Sequence, residues 1–432
     1  MHTHAMEGLL QYIWQHRLWL SEDMVTGDGR RVRVIDPGLL NTDAGPDFFN
    51  AKVEINGHLW VGNVEIHVRA SDWKRHHHDE DAAYDSVILH VVEKDDAPVH
   101  RRINGELIPQ VELQVSPRFN ECYDRLVNAQ VELPCAARLH EVPPLTVTEW
   151  IEALAMERLH SKVDRVSNLY DRYNGSWEDI CYVLLARTLG FGINGDAMER
   201  LARITPLRLL HKHSDSILQI EALLFGQSGL LNGAHSDETY YQQLMREYAF
   251  LANKFSLRPI EGTAWRLFRS RPQNFPYRRI ALLAQFVQGG FNMMNDILDT
   301  QDTEALRQLF DIELSGYWTT HYSFGKPSSS AGRALSGSSI DIVLINTVAP
   351  LLYARGELTD DYSLTDRAVA LLEDLRPEQN SIVTMFKAAG IKCEDALTSQ
   401  ALIQLRRNYC EARKCIYCRL GHRLLATDAR QL

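Results

Sequence analysis

Two acids and a histidine in the first part of this chain have the types and spacing of a hydrolytic site. Asp47 follows Pro46, and further on comes Glu65-Ile66-His67. Metal-assisted cleavage of a phosphodiester needs hard oxygen ligands for a divalent ion and a group that activates or orients water. Asp47 and Glu65 supply oxygens suited to Mg or Mn, and His67 is the group beside them.

Strand periodicity brings these side chains together. Alternation along Leu59–Val68 places Asn63, Glu65, His67 and Arg69 on one face and Gly62, Val64, Ile66 and Val68 on the other. Asn56-Gly57 tolerates the positive φ angles of a tight hairpin, which folds the strand after Asp47 against the strand carrying Glu65. The alternative is structural: Asp47 caps the turn after Gly45-Pro46, and Glu65 pairs with Arg69.

Histidine is dense immediately downstream, at His76, His77, His78 and His90. His76 and His78, joined by His67 or His90, have the chemistry of a zinc site, because neutral imidazole suits borderline metals. Otherwise the first three belong to a solvated loop, the reading favoured for His77, and His90 is a hydrogen-bonded core residue.

Cys410, Cys415 and Cys418 follow a C-x4-C-x2-C spacing, in which neighbouring thiolates chelate zinc or an iron-sulfur cluster. Cys135, His422 and Cys393 are candidates for a fourth ligand. The alternative is three inert thiols on a buried helix face.

A basic, aromatic stretch runs from Trp265 through Arg266, Phe268, Arg269, Arg271, Phe275, Tyr277, Arg278 and Arg279. Guanidinium groups bind phosphate and ring faces stack bases, which suits a nucleic-acid groove. The competing account is a helix with an apolar face and arginines turned outward. Tyr317–Lys326 is a second aromatic loop, suited to stacking or to docking between domains.

The elements that must position these residues divide the chain. Met6–Leu20 has the spacing of an amphipathic helix. Arg31–Ile35, Phe48–Ile55, Leu59–Val68, Ser86–Val92 and Ile108–Val115 are short, β-branched strands. Val131–Pro144, with three prolines, is a linker, and apolar-periodic helices follow from Thr146. The expected fold is α+β, with a small α/β domain over 1–140 and a large, mostly helical domain over 141–432 that ends in the cysteine cluster. At 432 residues, 45% hydrophobic and 24% charged, the chain has globular composition and exceeds one core. Its net charge of -10 confines any nucleic-acid site to a local basic surface. With no long apolar run and no export signal, the expected location is the cytoplasm, away from membranes.

The order helix, strand, Pro-Asp strand, Glu-x-His strand, strand over residues 6–92 resembles the PD-(D/E)XK nuclease core, which is restriction-endonuclease-like. The resemblance implies that Glu7 is the helix-borne acid. His67 stands where those enzymes carry lysine, and Lys52 on the preceding strand is the available substitute. The segments Asn41–Phe48, Gly62–His67, Leu89–Val92, Arg271–Pro276 and the C-terminal cysteines together look like a bacterial family catalogued as domain of unknown function 2851. The leading expectation is a divalent-metal-dependent nuclease or DNA-processing enzyme. Its alternatives are a non-catalytic nucleic-acid- or protein-binding scaffold and a zinc hydrolase of a smaller substrate.

Overall fold

The computed structural model describes residues 2–21, 24–100, 103–232, 238–260, 265–266, 274–328 and 334–429, with side chains from residue 6 onward. The protein is α+β, with a sheet-containing N-terminal region and a helical remainder. Two compact units divide the chain: Met1–Trp150 with Arg406–Leu432 form unit 1, and Ile151–Leu405 form unit 2.

Unit 1 is built on a seven-stranded sheet. Its strands are β1 (Met24–Val25), β2 (Arg31–Asp36), β3 (Leu39–Leu40), β4 (Phe48–Ile55), β5 (His58–Arg69), β6 (Val87–Lys94) and β7 (Gln110–Glu112). They lie in the order β1-β2-β4-β5-β6-β7, with β3 also paired to β4. Pairing is antiparallel as far as β4–β5 and parallel for β5–β6 and β6–β7. Asn56 and Gly57 have φ of 48° and 80°, as the tight β4–β5 hairpin requires. The crossover from β5 to β6 passes through the short helix α2 (Asp72–Arg75) and a 3-10 turn, Ala82–Ser86.

Strands paired in parallel and covered on both faces lose strict alternation. β6 is accordingly buried from Val87 through Val92, and β5 from Val64 through His67. Helix α1 (His2–Gln15) packs on β5 and buries Leu10, Ile13 and Trp14. The Trp14 indole donates to Pro37 O at 3.0 Å. Arg17, with φ of 53°, turns the chain away, so the helix stops short of the predicted Leu20. Phe48, Val53, Val64, Ile66, Leu89 and Val91 fill the sheet interior, and each such side chain contributes roughly 1.5–3 kcal/mol.

The predicted boundary near 140 and the assignment of the cysteine cluster to the helical domain are both corrected by the structure. The intended linker holds a 3-10 helix, Ala136–Glu141, within unit 1. The C-terminal helix Arg419–Ala429 returns to unit 1 and packs on α3 (Pro117–Asn128). Ser116 Oγ donates to Asp428 O at 3.0 Å, and Arg138 pairs with the Asp428 carboxylate at 2.6 Å. Hydrophobic periodicity reports which face of a helix is apolar, but not which partner covers it.

Unit 2 is helical, with a core that includes Ile180–Leu185, Leu223–Phe225, Ile280–Ala284 and Leu351–Leu352. One of its helices, Gly337–Thr359, is long and apolar enough to cross a membrane by length and composition, yet 67% of its apolar window is buried. The aromatic loop predicted for stacking or docking is part of this core. Trp318 and Phe324 are buried, and Trp318 stacks on Phe225 with ring centres 5.1 Å apart.

Candidate metal centre

The β4–β5 hairpin brings Asp47 and Glu65 together, as strand periodicity requires. The Asp47 N–H donates to Glu65 Oε2 at 3.1 Å, and the Ile66 N–H donates to Asp47 Oδ2 at 2.9 Å. Helix α1 adds Gln11, whose amide donates to Asp47 Oδ1 at 2.8 Å, and Glu7, whose Oε1 lies 4.0 Å from His67 Nε2. The second Glu65 oxygen faces imidazoles: Oε1 is 3.4 Å from His67 Nε2 and 3.2 Å from His78 Nε2. His76 Nδ1 is 3.2 Å from His67 Nε2.

The loop after α2 explains why His76 and His78 both turn inward. His77 has φ of 62°, and this left-handed residue sends its own ring outward, 74% exposed, while its neighbours face the sheet. His78 stacks on Tyr84 at 3.7 Å between ring centres and meets Trp73 edge-on. Ligand atoms of His67, His76 and His78 all lie within 4.8 Å of one another.

A chain of hydrogen bonds determines which nitrogen of His67 faces the cluster. The Gln110 amide nitrogen donates to Asp95 Oδ1 and Ala97 O, so its oxygen faces His90 Nδ1 at 2.8 Å. That oxygen only accepts, hence His90 carries its proton on Nδ1 and presents a lone pair at Nε2. His67 Nδ1, 2.9 Å from His90 Nε2, must then carry a proton, which leaves His67 Nε2 unprotonated toward Glu65, His76 and Glu7. An outer hydrogen bond that fixes the tautomer of an imidazole is a recurrent feature of metal sites. His90 is therefore the orienting residue behind the cluster.

The electrostatics point the same way. Burial, then the Glu65 charge, pushes the Asp47 carboxyl up to about 8. Burial likewise raises Glu65 to about 8, with the Glu7 charge adding to it. Burial and the neighbouring imidazoles hold His67 down at about 2, and burial holds His90 at about 4. His67 and His90 are thus neutral, and the contact of His67 with Glu65 is not an ion pair. Among the described residues no lysine or arginine pairs with Asp47 or Glu65, and Arg69 reaches toward Asp96 instead. Crowded acids and imidazoles, with Asp47, Glu65 and His67 largely desolvated, make a site that a cation would stabilise.

Several predicted residues lie elsewhere. Lys52 is exposed at the register of Val61, because a bulge between Phe48 and Ala51, with Asn50 at φ of 57°, changes which β4 residues face inward. Among the described contacts of the cluster, none involves Lys52. Arg278 and Arg279 are interior residues of unit 2, contrary to a role on a phosphate-binding surface. Arg278 lies over the Tyr322 ring, and Arg279 lies over Phe191 and donates to Ala334 O and Asn274. The helix they begin, Pro276–Val287, is buried around nearly its whole circumference. Arg266 is exposed, its backbone paired with the Asn194 side chain, and Arg269 and Arg271 lie outside the described residues.

Gln11 and Gln110 are contacts of the cluster that sequence reading missed. Gln110 carried no distinct signal, because its short strand, Gln110-Val111-Glu112, holds a second polar residue that is exposed. No curated protein and no solved structure matches the chain. One family model does match, over residues 7–381, a span that includes the acids and imidazoles and stops before the C-terminal cysteines. The chain therefore belongs to the family described as protein of unknown function (DUF2851).

Proposed function

We propose that unit 1 is a metal-dependent hydrolase of phosphodiester bonds, with Glu65, His67, His76 and His78 as the residues that would hold a divalent ion. The observation that carries this reading is the convergence of Glu65 Oε1, His67 Nε2, His76 Nδ1 and His78 Nε2 beside Glu7. Three imidazoles and a carboxylate suit zinc, manganese or iron better than magnesium, which prefers oxygen ligands and water. When bound, such an ion polarises a phosphoryl oxygen and lowers the pKa of water.

The chain's own residues supply the rest. Asp47 positions Glu65 through their reciprocal backbone bonds, and the Gln110–His90 relay orients His67. Glu7 sits at the partly exposed rim, where a carboxylate can take a proton from attacking water. Lys74 and Arg75, exposed beside His76 at the end of α2, offer positive charge to a phosphate. A helix-borne acid, an acid just before one strand and another on the next resemble the PD-(D/E)XK arrangement, with imidazoles in place of its lysine.

The test combines metal analysis with cleavage assays. The purified chain and its Glu65→Ala variant are given single- and double-stranded DNA and RNA with Mn, Zn or Mg. Cleavage by the parent, lowered at least about 100-fold in the variant, is the expected result. A parent that cleaves none of these with any of the metals overturns the phosphodiester reading. The donor set also favours a second reading, a zinc hydrolase of a small substrate. Turnover of activated esters or phosphomonoesters, without nucleic-acid cleavage, would select it.

A further inference from the structure

Four cysteines lie on adjoining segments in a separate part of unit 1. Residues 129–135 are stitched to the returning C-terminal segment by two arginines. Arg413 Nη2 donates to Ala129 O at 2.8 Å and to Val131 O at 3.0 Å, and Arg406 donates to Glu132 O. These bonds carry Cys135 toward Cys410, Cys415 and Cys418. The 3-10 helix that Cys135 caps packs on the C-terminal helix, which begins immediately after Cys418.

The backbone between the cysteines is shaped to bring them together. Arg413, with φ of 52°, turns the chain between Cys410 and Cys415. Cys415 opens a single 3-10 turn ending at Tyr417. Gly421 lies so close that a Cβ there would stand 2.2 Å from Cys415 O, so only glycine permits this approach. Burial pushes the Cys418 thiol up, opposed by the backbone N–H groups of Leu420 and Gly421.

The remaining candidates for a fourth ligand are otherwise engaged. His422 Nδ1 is 2.5 Å from the Tyr12 hydroxyl. Cys393 belongs to unit 2. Cys122 receives Arg138 Nη1 at 3.3 Å. Cys135 is the one whose charge is felt at Cys410, together with those of Cys415 and Cys418.

We infer that Cys135, Cys410, Cys415 and Cys418 form a four-thiolate site for a thiophilic metal centre, either one zinc ion or an iron-sulfur cluster. Both take four cysteine ligands. The centre would clamp residues 129–135 to the C-terminal segment, independently of the acid and imidazole site.

Zinc, iron and acid-labile sulfide are measured on the full chain, purified anaerobically, and on single Cys→Ser variants. One zinc per chain, or iron with sulfide and a visible charge-transfer band, is expected in the parent. That metal is lost in Cys135→Ser, Cys410→Ser, Cys415→Ser and Cys418→Ser and kept in Cys122→Ser. It is also kept in Glu65→Ala combined with His76→Ala, which separates this site from the proposed active site. For variants that fail to fold, titration of the parent with a mercurial serves instead, with release of the metal complete only when all four cysteines have reacted. Metal absent from the parent, retained in full by Cys135→Ser, or released without any thiol reacting, overturns the inference.

Discussion

The two clusters of unit 1 are assembled in opposite ways. Apart from Glu7, the acids and imidazoles come from one hairpin and the loop that follows it, between Asp47 and His78. The thiols are drawn from Cys135 and from the far end of the chain. The first cluster therefore depends on strand register, since a one-residue slip of β5 would turn Glu65 and His67 to the other face. The second depends on the C-terminal segment finding its place against residues 129–135. Local pairing produces a site whose geometry is sharp once the sheet forms, whereas chain re-entry produces one that also acts as a clamp.

Perturbing each cluster separately tests this contrast. The largest effect is expected from His67→Ala, which removes the nitrogen that the relay presents. Metal bound at the acid and imidazole site should be lost, with metal at the thiols unchanged, by elemental analysis. Loss of both metals would show the clusters to be one cooperative system. Next is Trp73→Ala, which removes the ring against which His67, His78, His90 and Tyr84 pack. Denaturant titration should show about 3–5 kcal/mol less stability. A change under about 1 kcal/mol would mean that the histidine loop is held by something else.

Gln110→Leu keeps bulk but removes the acceptor that sets the His90 and His67 tautomers. Metal affinity at the acid and imidazole site should fall about 10–100-fold. Unchanged affinity in a calorimetric titration would sink the relay. On the other side of the comparison, Arg413→Ala leaves Ala129 O and Val131 O without their donor, at a cost of about 0.5–1.5 kcal/mol. Metal should be released faster from the thiols and not from the imidazoles. The smallest effect belongs to unit 2, as a control. Burial raises Glu221, bonded to the Tyr240 hydroxyl, from 4.5 to about 7. The folded state holds this proton more tightly than the unfolded chain does. Its stabilising contribution is therefore complete below about 4.5 and lost as pH rises through about 7. Glu221→Gln should flatten thermal stability across that window. An unaltered pH profile would place the titrating group elsewhere.

Strand alternation and the Asn56-Gly57 turn were sufficient to place Glu65 and His67 together and to bring Asp47 beside them, because a hairpin is a local object. The density of histidine pointed to His76 and His78, although only the left-handed His77 explains how both face inward. The bulge that sends Lys52 outward has no comparable signature in the sequence. Neither does the burial of Arg278 and Arg279, since arginine on a helix is ordinarily read as solvent-facing. Cysteine spacing identified three thiols, while the choice of Cys135 needed the bonds from Arg406 and Arg413. Local signals reached as far as neighbouring strands, and what they missed depends on packing between segments distant in the chain.

The return of Arg406–Leu432 to the first unit has a consequence for biosynthesis. During vectorial translation the sheet emerges first, yet its final helix cannot arrive until every residue of unit 2 has left the ribosome. Unit 2 is contiguous and can fold as soon as it is made, whereas unit 1 must wait, with the surface of α3 uncovered, for the segment that follows unit 2. Premature termination shortly before Arg406 would therefore cripple the unit whose sheet is made before unit 2.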